Sequence, residues 1–300
     1  VTAREGTAPA ILQFPALIGT ILELVKARIT IVVTLSVATG HLVFVGRFTA
    51  GVVLPAVGIF LLACGSAALN QVQDAAIDGR MKRTASRPIP SGRISADWAL
   101  FVAVLFCGAG FYALSCIEAH TVVILALGAA ALVWYNGVYA YLKRITAYAA
   151  VPGALVGAIP PAVGWASGGG MVFDGAIVEL SFFFFLWQIP HFWLLLLLHY
   201  KDYEAAGLPT LSRRLSEVQI KRVTAMWIIA VAAAGLLLAI SNDVGFPWIV
   251  AILIGSVWLG LDAGAFVWRR KRLDLCFPTF MRVNAYAFLM MVCLTGDALS

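Results

Sequence analysis

The chain has 300 residues, 62% of them hydrophobic and only 12% charged, with a formal net charge of +6. A mean hydropathy of +0.93 excludes an ordinary water-soluble domain. The basic residues report membrane topology and anionic lipid; with no aromatic-interleaved basic patch in a soluble domain, they do not argue for a nucleic-acid partner.

The polar N-terminal stretch VTAREGTAPAILQF leads into an apolar run with no small-residue cleavage pattern at its end. A removable signal peptide is therefore not expected, and a prokaryotic inner membrane is favoured. Nine runs are long enough to cross a bilayer as helices: 27–45, 52–71, 97–116, 120–141, 148–167, 177–199, 223–241, 246–267 and 279–297. The expected fold class is all-α: a polytopic membrane protein of nine transmembrane helices around a central cavity. No linker or low-complexity tract interrupts residues 1–300, so one membrane domain is expected.

Charge sets the expected orientation. With the N-terminus in the cytoplasm, the inward connections hold Arg80–Arg93, Lys143–Arg144, Lys201 with Arg213–Arg222, and Arg269–Arg272. The outward connections hold only Arg47, as the positive-inside rule demands. Cys64, Cys107, Cys116, Cys276 and Cys293 form no CxxC pair, so neither zinc nor a disulfide framework is expected, and each reads as a small buried hydrophobe.

The second run ends in NQVQDAAID, where Asn70, Asp74 and Asp78 recur every four residues. If the helix continues through them, all three share one face. Like charges at this spacing repel unless a cation lies between them. The next stretch, GRMKRTASRPIPSGR, brings Arg80, Lys82, Arg83, Arg87 and Arg93. Carboxylates beside such a loop can hold a divalent cation and the diphosphate it bridges. A plainer reading also stands: a solvated helix end whose acids pair with nearby arginines.

The connection after the sixth run echoes this one in place and chemistry, with Lys201, Asp202, Tyr203 and Glu204 at its start. Asp202 is the better metal ligand of its pair, because i and i+2 diverge on a helix and leave Glu204 facing elsewhere. The echo suggests two bundles whose active loops face each other. Gly153, Gly157, Pro160, Pro161 and Gly164 stud the fifth run, where close helix approach and a broken backbone are expected. The sixth run, SFFFFLWQIPHFWLLLLLHY, carries Gln188, Pro190, His191 and His199, whose polar groups must face protein or a cavity. His41 and His120 lie near outward ends and read as bystanders. Tyr135, Asn136, Tyr139 and Tyr141 line the fourth run, as belt residues or as faces for a cation.

Several stretches together carry a resemblance: LELVKARIT, NQVQDAAIDGRMKRTASRP, YLKRIT, GAIPPAVGW, FLWQIPHF and KDYEAAGLPTL. In this order they resemble the UbiA-type intramembrane prenyltransferases, which move an isoprenoid from a diphosphate to an acceptor. The resemblance implies nine transmembrane helices, two acidic motifs on cytoplasmic loops and a magnesium (Mg2+) requirement. LWQIPHF with KDYEAAG is most similar to the haem-farnesylating branch. The chain departs from that branch at Ala149, where Asn is usual, and at Thr210–Ser212. The branch implies farnesyl diphosphate as donor and a vinyl group of protohaem IX as acceptor, giving haem O. Carried onto this sequence, Asn70, Asp74, Asp78 and Asp202 become catalytic, with Asp74, Asp78 and Asp202 as Mg2+ ligands. Lys82, Arg83, Arg87, Lys143 and Arg144 become diphosphate contacts, and His191, His199 and Tyr203 acceptor contacts. A quinone or other aromatic acceptor, and a secondary transporter, stay open as alternatives.

Overall fold

The computed structural model describes residues 14–268 and 276–300, with backbone alone for 14–16. The basic stretch Arg269–Arg272 and most of the N-terminal polar segment lie outside the described residues. Those residues form helices and turns without a strand, and nine spans among them are long and apolar enough to cross a membrane.

A helix α1 (Phe14–Leu24) precedes the first span, α2 (Ala27–Val45). The second span is α3 (Val53–Asp78) and the third α4 (Ala96–Ser115). The fourth is compound: α5 (Thr121–Leu132), a π-helical segment (Val133–Tyr139) and α6 (Ala140–Ile145). The fifth joins α7 (Ala150–Gly153) to α8 (Leu155–Ser167), and α9 (Gly175–Leu198) is the sixth. After the short α10 (Tyr200–Ala205) come α11 (Glu217–Ser241), α12 (Phe246–Trp268) and α13 (Phe277–Ala298).

Three local expectations change. The second span does not stop at residue 71: the helix runs on to Asp78, so the acidic stripe is helical. The proline pair does not break the fifth span, since α8 continues through Pro160 and Pro161 and the interruption falls at Ala154. Cys116 is exposed rather than buried, because it caps the end of α4.

The spans close into a ring. Neighbours run α2, α3, α4, α5, α8, α9, α11, α12 and α13, and α13 returns to α2. Across the ring α2 packs on α8. A Cβ on Gly40 would land on the Pro161 carbonyl, and one on Gly164 on the Val37 carbonyl. Backbones come this close where one of the two facing residues has no side chain. These contacts pinch the ring in the half that holds Gly40 and His41. The charged connections gather at the opposite end.

Candidate active site

The stripe at the end of α3 is not a solvated helix end. Asn70 is 4% exposed, Asp74 7% and Asp78 2%. Buried carboxylates need partners, and each finds its own. Asp74 is ion-paired to Lys143 and, at 3.2 Å, to Arg144. The Asn70 amide donates to the same carboxylate at 3.1 Å. Asp78 meets Arg87 at 2.6 Å. Arg144 also donates to the Gln73 carbonyl at 2.7 Å, which ties α6 to the last turns of α3.

Arg83 and Arg87, four residues apart, lie on a run of turns rather than on a helix. Residues 80–92 form consecutive turns, with Thr84 N–H donating to the Met81 carbonyl at 3.0 Å and Arg87 N–H to the Thr84 carbonyl at 3.0 Å. The Thr84 hydroxyl donates to the Asp78 carbonyl at 2.9 Å and caps α3. These turns bring Arg87 in and leave Lys82 and Arg83 exposed. Arg93 leaves the site altogether: it pairs with Glu23 of α1 at 2.7 Å.

The two polar connections do meet. Met81 from the first buries against Ala206 and Leu208 from the second, with Ile77 and Tyr203 packed beside them. Tyr203 is placed between the loops. Burial pushes its phenol up, and it lies within the fields of Arg83, Arg87, Asp74 and Asp78. His199 is held below its usual value first by burial and then by Arg83, with Asp202 opposing. A hollow of about 180 Å³ is lined there by Leu198, His199, Tyr200, Lys201 and Asp202. Asp202 therefore stands with His199 and Arg83. Among the described residues, no three His, Cys, Asp or Glu side chains are gathered closely enough to hold a metal ion.

Glu204 has a different task. Its Oε1 accepts from the Thr210 hydroxyl at 2.8 Å and the Ser212 hydroxyl at 2.6 Å, and the two hydroxyl oxygens lie 2.9 Å apart. Those two hydroxyls hold its carboxyl below the usual value. Glu204 clips the loop, as its divergence from Asp202 suggests.

Several contributors had no pattern to announce them. Lys26, one letter within LELVKARIT, sits at the α1–α2 corner with left-handed backbone angles, φ 52° and ψ 45°. Such angles strain a residue with a Cβ. The corner is clamped by Gln71, whose amide donates to the Glu23 carbonyl at 3.1 Å and the Leu24 carbonyl at 2.7 Å. Burial, then Arg87 and Lys143, push Lys26 down to about 8 against the pull of Asp78 and Asp74. Its ammonium thus lies within the field of both acids.

Asn136 in the π-helical segment makes a second clamp. Its Oδ1 accepts from the Ser66 hydroxyl at 2.6 Å, its amide donates to Gln73 Oε1 at 3.2 Å, and Gln73 donates back to its carbonyl at 2.9 Å. The π-helical turn fixed this way presents Tyr135 and Tyr139 in a stack, with centroids 5.6 Å apart. Tyr139 then stacks on Phe192 at 5.6 Å and 7°, and Phe192 adjoins His191 at 5.6 Å. Gly153 makes the bed for Tyr139, since a Cβ there would enter the ring. Lys143 lies 5.8 Å from the Tyr139 centroid. An aromatic ladder therefore descends from the acids into the membrane-spanning part.

Paired acids, surplus cations and an aromatic ladder can bind a polyanion with an apolar tail. Residues 25–289 match the profile of the UbiA prenyltransferase family. The chain belongs to that family. A protoheme IX farnesyltransferase of Geobacter sulfurreducens is 36% identical over 234 residues, 77% of this chain and 86% of that protein. One of Oleidesulfovibrio alaskensis is 33% identical over 285 residues, 92% of this chain and 95% of the relative. Among solved structures, a digeranylgeranylglyceryl phosphate synthase superposes with a TM-score of 0.75 at 14% identity, over 94% of this chain and 98% of that one. A UbiA homologue from Archaeoglobus fulgidus, bound to GPP and Mg2+, superposes with a TM-score of 0.68 at 12% identity, over 93% and 99%. For this member of the UbiA family, the likeness to those solved structures establishes the nine-span fold.

Proposed function

We propose that this chain transfers the farnesyl group of farnesyl diphosphate to a vinyl group of protohaem IX, giving haem O and diphosphate. The observation that carries the reading is the pairing at the charged end: two buried carboxylates, each held by its own cations, at the head of an aromatic ladder. The names of the relatives, matched over 86% and 95% of their own lengths, supply the acceptor.

In this reading the diphosphate competes with Asp74 and Asp78 for Lys143, Arg144 and Arg87. Lys26 adds a fourth cation, and the exposed Lys82 and Arg83 reach the outer phosphate. The carboxylates released from their cations, with the Asn70 amide oxygen, would offer an oxygen-only donor set that suits a hard divalent ion such as Mg2+. Asp202, on the facing loop, would complete the donor set once the two loops drew together around the metal. Bound Mg2+ would supply positive charge to the leaving diphosphate. The allylic C–O bond breaks with its electrons going to the diphosphate, and the allylic carbon becomes cationic. Tyr135, Tyr139 and Phe192 present π faces to that cation. The vinyl π electrons then form the new C–C bond. Water captures the porphyrin-side cation and loses a proton, leaving a hydroxyl. His191, His199 and Tyr203 line the acceptor's side.

The one-sided distribution of Lys and Arg supports a multi-pass protein of the cell inner membrane with its N-terminus and site toward the cytoplasm. The test is incubation of purified protein with protohaem IX, farnesyl diphosphate and Mg2+, followed by mass analysis of the pigment. Addition of farnesyl plus water is expected. Recovery of unmodified haem, with a farnesylated product formed when a quinone replaces protohaem in the same mixture, would overturn the choice of acceptor.

A further inference from the structure

We propose that His191 binds the acceptor through its iron, with Nε2 as the ligand atom and Asn284 fixing the ring. This rests on the haem reading above and adds to it the atom that grips the substrate.

The hydrogen bonds assign the tautomer. Asn284 Nδ2 donates to the Phe280 carbonyl at 2.7 Å, so its amide orientation is set and Oδ1 is the atom left for the histidine. His191 Nδ1 lies 2.6 Å from that Oδ1. An amide oxygen only accepts, so Nδ1 carries the proton and Nε2 keeps its lone pair. A neutral imidazole whose Nδ1–H is held by a carbonyl oxygen is how proteins orient a metal-ligating histidine.

The surroundings fit a flat, apolar metal complex. His191 is flanked by Trp187 at 4.9 Å, Phe280 at 5.1 Å and Phe192 at 5.6 Å between ring centroids. His191 as a residue keeps some exposure, whereas the nearby Trp193 Nε1 is sealed without a partner. The ring does not face lipid. Phe182, 55% exposed, precedes it by about two and a half turns and so projects from the opposite face of α9. Phe192 links His191 to Tyr139 and thence to Lys143 beside Asp74. A porphyrin held at His191 would therefore share the aromatic ladder with the isoprenoid donor. The competing account is that the His191–Asn284 bond merely ties α9 to α13.

The experiment uses the full chain in lipid nanodiscs, titrated with ferric protohaem IX and, separately, with iron-free protoporphyrin IX. Ligation predicts about ten-fold tighter binding of the iron form and a Soret band characteristic of nitrogen-ligated iron. His191→Gly should lose both, and added imidazole should restore the band. Asn284→Leu should weaken ligation while keeping the histidine. Equal affinity for the two porphyrins overturns the proposal without any variant. An unchanged Soret band in His191→Gly does the same. If the wild-type protein farnesylates haem while that band is unchanged, ligation falls and the proposed activity stands. If the band depends on His191 but haem is not farnesylated, the activity falls and ligation stands.

Discussion

Lys143, at the end of the fourth span, is ion-paired to Asp74, 69 residues earlier in the chain. The lysine is 18% exposed and the aspartate 9% as side chains, so solvent does little to screen them. Arg144 takes the other oxygen of the same carboxylate. Asp74 thus holds two cations at the place where the donor's charge is proposed to arrive.

Asp74→Asn removes that charge with little change of shape. Turnover should fall by roughly a hundred-fold, as when a group that stabilises developing charge is lost. Two cations would also be left without their carboxylate, at a cost of about 3–5 kcal/mol for a buried pair. Lys143→Met in the Asp74→Asn background should recover thermal stability but not activity. Measuring unfolding and product release on the single and double variants separates the two effects. Near wild-type turnover of the Asp74→Asn protein would remove Asp74 from the chemistry.

Lys26→Gln tests the cation that no motif announced. A hydrogen bond to a charged group contributes about 1.5–3 kcal/mol, so binding of farnesyl diphosphate should weaken by at least about ten-fold. Affinity for an uncharged farnesol should not change. Equal losses for both ligands would show that the α1–α2 corner had collapsed instead.

Gly153→Ala should displace the Tyr139 ring, which occupies the space a Cβ would take. Overpacking of this kind costs about 1–3 kcal/mol. Turnover should fall more than donor affinity, because the aromatic face is proposed to serve the cation and not the diphosphate. A larger loss of donor affinity than of turnover would reverse that assignment.

Glu204 gives a pH-dependent expectation. Its native carboxyl lies below the ordinary 4.5, through bonds from Ser212 and Thr210. A depressed acid stabilises the fold above its unfolded value and loses that contribution as pH falls through its native value. Proteolysis within residues 205–216 should therefore rise on acidification below about 4.5, and Glu204→Gln should show the same rise at neutral pH. Asp202→Ala should lose more activity than Glu204→Ala when both are assayed at neutral pH. The reverse order would place Glu204 at the metal and donor.

Periodicity alone determined much of this protein. Length and apolarity announce a span because lipid leaves the backbone no partner outside the helix. The spacing of Asn70, Asp74 and Asp78 announces a shared face because 3.6 residues make a turn. Both are local properties, and both hold in the structure. Tertiary packing alone decided which cation meets which acid. Arg87 turns inward to Asp78 while Arg83 stays out, because the chain between them runs in consecutive turns. Lys26 is set in the field of the acids because Gln71, 47 residues beyond Leu24, clamps the corner before it. His191 keeps Nε2 open because Asn284, 93 residues later, takes Nδ1. Pairs so distant in the chain leave no periodic trace, since nothing but the ring of helices brings them within a hydrogen bond of each other.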